Sequence, residues 1–119
     1  MCIRDRNLVT AADLAALFTA IHRGTIASPG SCAAMVATLL AQEVTADLAA
    51  GLPPGTRAAY KNGWIMGARH AAGIIYPDDA PPYVLAVCLT TPLARNDPTD
   101  EACRLVTSLS AHAWSLRQF

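Results

Sequence analysis

Apolar residues recur at helical spacing near the start of the chain. Thr10 and Asp13 come close to a capping box, the pattern in which two side chains satisfy the first backbone amides of a helix. Gly24 is a typical helix stop. We therefore predict a helix between these signals, with a core-facing stripe of Leu14, Leu17, Phe18 and Ile21.

A second helical pattern starts at Ser28-Pro29, where a capping hydroxyl precedes a proline at the first helical position. Its apolar stripe consists of Cys32, Met35, Val36, Leu39 and Leu40. Residues 45–50 suit one further short turn of helix. The Gly-Leu-Pro-Pro-Gly segment at 51–55 then ends the helical part of the chain.

The pattern then changes to strands. We predict strands at Thr56–Asn62, Ala68–Tyr76 and Tyr83–Thr91, with a turn or loop at 63–67 and a proline-rich turn at 77–82. Because the connections are short, the three strands should form an antiparallel meander.

The third predicted strand contains the unbroken apolar run Val84-Leu85-Ala86-Val87-Cys88-Leu89. A continuous apolar run indicates a strand that is covered on both faces, whereas a strand with one solvent-exposed face alternates apolar and polar residues. At the edge of a meander such a strand is prone to aggregate. We therefore expect a neighbouring strand supplied by sequence that this chain lacks.

A final helix is predicted after Asp97-Pro98, a cap followed by proline, with Asp100 and Glu101 in the first turn near the positive end of the helix dipole. Its predicted inner face holds Ala102, Leu105, Val106, Leu109, Ala113 and Leu116. The fold class is α+β. Residues 7–55 form a helical segment, and residues 56–119 form the sheet with its C-terminal helix.

Composition excludes several classes of function. The net charge is zero and 53% of the 119 residues are hydrophobic, which suffices for a core. No basic tract suits nucleic acid, so we expect no nucleic-acid partner. No apolar run reaches the roughly 18 residues of a membrane span.

The four cysteines form no CxxC pair, and the three histidines are not spaced with them as ligands. We therefore predict no metal site and no cofactor. Cys32, Cys88 and Cys103 are expected to be small buried thiols. A Cys88–Cys103 disulfide stays open, since it depends on how strand and helix pack.

Candidate chemistry centres on the only lysine, in Tyr60-Lys61-Asn62-Gly63-Trp64, where every other basic residue is arginine. Lys61, Asn62 and Gly63 together offer a compact cation, an amide and a bare backbone to a ligand beside a strand. By itself the tripeptide is weak evidence for a site and is more typical of an ordinary Asn-Gly turn.

The order of segments GLPPGTRAAYKNGW, RHAAGIIYP, PPYVLAVCLTT and a last amphipathic helix resembles the C-terminal part of a class A β-lactamase or related penicillin-recognising serine hydrolase. The resemblance covers residues 7–119. The family's strand motif is Lys-Thr-Gly or Lys-Ser-Gly. The chain departs from it at Asn62, where the family has a hydroxyl, and at Trp64, where a small residue is usual.

The resemblance implies roles for these residues. Lys61 would place positive charge near the nucleophile and the substrate carboxylate, Asn62 would contact that carboxylate, and Gly63 would let the substrate lie close. The backbone N–H of Trp64 would donate to the oxyanion. Asn62 and the bulky indole would narrow the pocket, so β-lactam activity is expected to be weak or altered.

A second carboxylate contact is expected on the second predicted strand. Class A enzymes often carry an arginine at the position of Ala72. On a period-two strand His70 shares the face of Ala72 and Arg69 points the other way. His70 is therefore the candidate, and an exposed histidine at a strand end is the alternative.

The family's nucleophile is absent. None of the five serines has lysine three residues later, and Ser-Asp-Asn does not occur. We expect the chain to be inactive alone, as the 3′ portion of a longer gene. Its expected partners are a β-lactam or peptidoglycan-like amide and the missing N-terminal part. Residues 1–6 resemble a translated sequencing adaptor, so native sequence is expected to begin near Asn7.

Three functions stay open for the parent: a serine hydrolase of the class A β-lactamase type, a penicillin-binding transpeptidase or carboxypeptidase, or a non-catalytic homologue that binds cell-wall peptide or a protein. A fourth, unrelated possibility is a small α+β interaction domain. Periplasmic or extracellular localisation follows from the family alone.

Overall fold

A computed structural model describes residues 8–118, so the expected leader at residues 1–6 lies outside the described residues. The elements in chain order are α1 (Ala11–Arg23), α2 (Pro29–Leu40), a 3₁₀ turn (Ala49–Gly51), β1 (Arg57–Tyr76), β2 (Tyr83–Arg95) and α3 (Glu101–Ser115). Within the described residues, no helix has both the length and the apolar character needed to cross a membrane.

The first two helices begin where the sequence predicts. Thr10 Oγ1 accepts a hydrogen bond from the Asp13 amide at 3.0 Å, and Asp13 Oδ2 accepts one from the Thr10 amide at 3.0 Å. Gly24 ends α1 with φ of 71°. The Ser28 hydroxyl accepts from the Ser31 amide at 3.1 Å, ahead of α2. Both predicted caps are therefore confirmed.

The predicted three-stranded meander is not confirmed as three separate strands. Residues 57–76 form one continuous strand, β1, which pairs antiparallel with β2 in a two-stranded sheet. The expected loop at 63–67 is extended instead. The irregularity is concentrated at Gly67, which has φ of 87° and lies where the pairing shifts from Met66–Arg95 to Ala68–Thr90.

β1 nevertheless doubles back on itself. Twenty residues of straight strand would span about 66 Å at roughly 3.3 Å per residue, yet the longest dimension of the molecule is 36 Å. A methyl group placed on Gly73 would lie 2.4 Å from Tyr60 Cβ and 2.6 Å from the Ala59 carbonyl oxygen. The first half of β1 therefore lies against its second half, and glycine is required at their contact.

The sheet lies between two helical layers. On one face, α1 and α2 pack on alternate strand residues through a cluster of Phe18, Ile21, Ala59, Ala72 and Ile74, with Val84 and Ala86 of β2. On the other face, α3 and the 3₁₀ turn pack through Leu48, Leu52, Ala58, Tyr60, Ala71, Ile75 and Val106, with Leu85 and Val87 of β2. Residues 84–87 of β2 are thus packed on both faces, as the apolar run predicts, whereas Cys88 in the same run is exposed.

The last helix differs from its prediction in start and in inner face. Asp100, not Asp97, is its N-cap, since Asp100 Oδ1 accepts from the Cys103 amide at 2.8 Å while Asp97 Oδ1 accepts from Thr99. The buried residues of α3 are Ala102, Cys103, Val106 and Ser110. Leu105, Leu109 and Leu116, predicted to face inward, are between 43% and 48% exposed.

Cys32, Cys88 and Cys103 are free thiols, so the Cys88–Cys103 disulfide does not form in this structure. Cys32 and Cys103 are buried as expected, but Cys88 is exposed. Its strand position explains the difference. Cys88 pairs with His70, which is also exposed, near the irregular end of the ladder.

The close contact between Gly73 and Tyr60 can be tested by substitution. Because a β-carbon there overlaps Tyr60, the change Gly73→Ala should lower the free energy of unfolding by about 1–3 kcal/mol, the usual cost of overpacking. Gly30→Ala is the matched control, since nothing lies within 4 Å of its added methyl group in α2. Urea denaturation of both variants measures the difference. Equal stabilities would contradict a doubled-back β1.

Candidate functional site

The Lys61-Asn62-Gly63 segment is extended strand backbone. A type I′ turn requires positive φ at both central residues, and the described residues with positive φ are Gly24, Gly55, Gly67 and Asn96. The ordinary Asn-Gly turn is thereby excluded. An extended backbone at this point leaves the strand able to lie along a ligand.

A cavity of about 810 Å³ lies between this strand and the first two helices. The helices contribute mainly apolar side chains, and β1 contributes the polar groups. Its lining includes Leu14, Leu17, Phe18, Met35, Ser31, Lys61, Asn62, Gly63, His70 and Ala72. An apolar wall with a few convergent polar groups is typical of a small-molecule site. Four of the five predicted site residues meet here.

Lys61 supplies the positive charge of the cavity. The residue is exposed, and its Nζ donates a hydrogen bond to the carbonyl oxygen of Asn62. Within residues 8–118 no carboxylate lies within 4 Å of this ammonium group. The ammonium therefore keeps donors available for an anionic or carbonyl group of a ligand.

His70 stands on the cavity face of β1, as the strand period predicts, on the same side as Ala72. Its Nδ1 accepts a hydrogen bond from the Leu89 amide at 3.2 Å. A neutral imidazole with Nδ1 as acceptor carries its proton on Nε2. His70 can therefore offer one N–H donor from Nε2.

Asn62 borders the cavity, but its side-chain amide is directed into the protein. The residue is 5% exposed, and Nδ2 donates to Asp47 Oδ1 at 3.0 Å. Side chains alternate along a strand, so Lys61 and Asn62 face opposite sides of β1. The carboxylate that Asn62 contacts is thus one from its own chain.

Arg69 is the residue that sequence reasoning missed. It is fully buried, and its Nη1 lies 2.8 Å from Asp47 Oδ2 in a buried ion pair. Nη2 donates to the Asp97 carbonyl oxygen at 2.7 Å, and Nε lies 3.7 Å from Asp100 Oδ1. The only sequence signal was an arginine inside an apolar strand, which needs a buried partner.

Trp64 does not line the cavity, so the expectation that its indole narrows the pocket is wrong. The Arg69 guanidinium carbon lies 4.6 Å from the centroid of the indole ring. This geometry is a cation–π contact, in which the ring face stabilises the buried charge. The indole of Trp64 thus packs against the Arg69 guanidinium.

Asp100 joins the same network at the start of α3. Burial opposes its ionisation, but hydrogen bonds from the Arg95 and Cys103 amides and the charge of Arg69 outweigh burial and hold its pKa below the usual value. Burial also raises the pKa of the Cys103 thiol. Cys103 is therefore protonated at neutral pH and is no nucleophile.

The comparisons with known proteins identify the family. The model of the β-lactamase enzyme family matches residues 3–115. No curated protein sequence matches the chain.

Three solved structures illustrate the likeness. PBP-A is 29% identical with a TM-score of 0.77, over 95% of this chain and 42% of its own. A β-lactamase from Sphaerobacter thermophilus DSM 20745 is 25% identical with a TM-score of 0.75, over 97% of this chain and 44% of its own. TLA-3 extended-spectrum β-lactamase, at 19% identity, shares the fold with a TM-score of 0.83, over 96% of this chain and 43% of its own. The chain thus spans less than half the length of these proteins.

The ionised state of Asp100 makes stability depend on pH. Its folded pKa lies below the ordinary value of 3.8, so its contribution is complete above about pH 4 and is lost as the pH falls through the folded pKa. Asp100→Asn keeps a capping side chain but removes the charge. The variant should show a flatter loss of unfolding free energy between pH 6 and roughly pH 3, measured by urea denaturation.

Asp79→Asn is the control for that measurement. The Asp79 pKa is also lowered, by its hydrogen bond with Arg117, but this pair is exposed to solvent. Exposed pairs contribute little. An acid profile that flattens equally in both variants would argue against the buried network.

Proposed function

The chain belongs to the β-lactamase enzyme family, and we propose that it is the C-terminal part of a serine hydrolase of the class A β-lactamase type. Its parent would form an acyl-enzyme with a β-lactam or related amide and then hydrolyse it. The observation that carries this proposal is the ammonium group of Lys61, which has no carboxylate partner among the described residues, on an extended strand that borders an apolar cavity.

In the proposed reaction a serine hydroxyl adds to the amide carbonyl, the C–N bond breaks, and the proton of the hydroxyl passes to the leaving nitrogen. Lys61 would stabilise negative charge that develops in the cavity. Gly63 would allow close approach of the substrate, and the Trp64 amide would donate to the oxyanion. His70 would offer its Nε2 proton to an acceptor on the substrate.

The nucleophile would come from the missing part of the parent. Ser31 lines the cavity, but its Oγ accepts a hydrogen bond from the Ser28 hydroxyl at 2.9 Å, and the residue three positions later is Ala34, not lysine. Ser110 is buried and donates to the Leu48 carbonyl oxygen. Neither serine has a base beside it, so the chain is proposed to be inactive alone.

Several uncovered surfaces support a missing part. Among the described residues β2 pairs only with β1, so its other edge is open. Leu17 and Met35 beside the cavity, and Leu105, Leu109 and Leu116 on α3, are exposed apolar side chains. We assign all three surfaces to the N-terminal part of the parent, which would add a strand to β2 and bring the serine to Lys61.

The family context supports an acyl-enzyme route. PBP-A with the L158E change has been solved as an acyl-enzyme complex with penicillin G. In the parent of this chain the same class of substrate would be processed outside the cytoplasm. A non-catalytic homologue is the second candidate, and it is favoured by the engagement of Asn62 with Asp47.

The test is covalent labelling by a fluorescent penicillin. The 119-residue chain should take up no label. The extended protein encoded by the DNA upstream of Asn7 should be labelled at a serine followed three residues later by lysine. Lys61→Ala should slow labelling by roughly 100-fold, the usual cost of one preorganised electrostatic contact.

Arg104→Ala is the control, since Arg104 is an exposed cation on α3. Slow release of the label identifies a transpeptidase or carboxypeptidase, and fast release a β-lactamase. An extended protein that has no such serine, or that is never labelled, contradicts the proposal and leaves the non-catalytic homologue. Labelling of the short chain would contradict its inactivity.

A further inference from the structure

Asn62 is the only asparagine of the chain that precedes a glycine, since Asn7 precedes leucine and Asn96 precedes aspartate. In an Asn-Gly pair the backbone nitrogen of the glycine can attack the side-chain amide carbon, because glycine has no β-carbon to obstruct the approach. Asparagine is one of the thermolabile residues of proteins, and this neighbour makes it more reactive. The first half of β1 therefore contains a pair of residues that is prone to deamidation.

The reaction needs only water. The Gly63 nitrogen forms a bond to Asn62 Cγ, the Cγ–Nδ2 bond breaks, and the proton of the Gly63 amide passes to Nδ2, which leaves as ammonia. Water then opens the resulting succinimide ring at either carbonyl group. Opening at the side-chain carbonyl gives aspartate. Opening at the backbone carbonyl gives isoaspartate, in which the main chain runs through the side-chain carboxyl group and is one carbon longer.

The folded structure opposes the first step. Side chains stand roughly perpendicular to a strand, so the Asn62 amide is directed into the protein and not along the chain toward the Gly63 nitrogen. Asn62 is 5% exposed, and its Nδ2 lies 3.0 Å from Asp47 Oδ1. Asp47 is itself held by Arg69 Nη1 at 2.8 Å and by the Leu48 amide at 2.6 Å. Ring closure requires Asn62 to leave these contacts.

The attacking group, by contrast, is accessible. Gly63 is exposed, and nothing lies within 4 Å of a methyl group placed on it. Solvent can therefore reach the glycine whose amide must lose its proton. Protection of the pair depends on the buried side chain of Asn62 and not on burial of the Gly63 backbone.

The products do not fit the same place. Aspartate at position 62 would put a second carboxylate beside Asp47, and like charges at this distance disfavour each other. The amide donor to Asp47 Oδ1 would also be lost. Isoaspartate lengthens the main chain, so the alternation that places Lys61 and Asn62 on opposite faces of β1 would be broken.

We propose that Asn62-Gly63 is a deamidation site, which the contact with Asp47 protects in the folded chain and which opening of β1 exposes. Conversion makes the opening permanent, because neither product restores the buried contacts. The strand segment that carries Lys61 is then lost as well. The site concerns the chain's own amide, so it stands whether or not the parent is a hydrolase.

The test measures where and when the chain deamidates. The 119-residue protein is held at mildly alkaline pH in buffer and in concentrated urea, and peptide mapping by mass spectrometry quantifies aspartate and isoaspartate at position 62. Conversion in buffer should be at least about 10-fold slower, because its rate follows the fraction of chains that are open. Asn96 is the internal control. It is exposed, so its conversion rate should change little between buffer and urea.

Three variants isolate the cause. Gly63→Ala adds a methyl group that the fold accommodates, so it should slow conversion in urea several-fold without lowering the melting temperature. Asn62→Asp reproduces one product and should melt at least about 4 °C below wild type. Asn96→Asp makes the same chemical change at an exposed position and should lower the melting temperature far less. Failure of Asn62→Asp to fold would be the extreme form of the expected loss.

Three results would overturn the proposal. Conversion of Asn62 that is as fast in buffer as in urea would show that the fold does not protect the site. An Asn62→Asp protein that melts with wild type would show that the product fits. Absence of both products at position 62 after incubation in urea would show that the pair is not reactive.

Discussion

The buried ion pair between Arg69 and Asp47 is the interaction on which the arrangement of the site depends. Transfer of each charge out of water costs several kcal/mol, so the pair is tolerated only because other groups satisfy it. Asn62 and the Leu48 amide complete the shell of Asp47, and the Asp97 carbonyl oxygen and the Trp64 ring complete that of Arg69. The contacts join the segment before the 3₁₀ turn, both halves of β1 and the approach to α3.

The two faces of β1 therefore contact different parts of the molecule. One face presents Lys61 and His70 to an apolar cavity walled by α1 and α2. The other face directs Asn62 and Arg69 toward Asp47, beneath α3. Because the ion pair holds the second face, the backbone at Lys61 and Gly63 is fixed relative to the cavity. The chemistry proposed for the first face thus depends on packing behind it.

Local signals predicted much of the fold. The capping box at Thr10, the Ser28-Pro29 helix start and the apolar run of β2 each depend on neighbouring residues alone, and each matches the structure. The count of three separate strands was not confirmed, because Trp64 and Ile65 are extended and β1 reverses without a separate loop. The inner face of α3 differed because small residues, not leucines, fit against the 3₁₀ turn at Gly51.

The candidate site was predictable only in part. A single lysine before Asn-Gly located the cavity, and strand alternation put His70 on the correct face. The partner of Arg69 lies 22 residues away at Asp47, in a segment with no periodic pattern, so no local rule connects them. For the same reason the hydrogen bond from Asn62 to Asp47 could not be predicted, and the carboxylate that Asn62 contacts was expected on a substrate.

A double-mutant cycle on Asp47 and Arg69 tests the central claim most directly. Asp47→Leu and Arg69→Met should each lower the free energy of unfolding by about 3–5 kcal/mol, because each leaves a buried charge unpaired. The double variant should lose little more than one single variant, which gives a coupling energy on the order of 3 kcal/mol. Losses that simply add would show that the two charges do not depend on each other, and the account would fail.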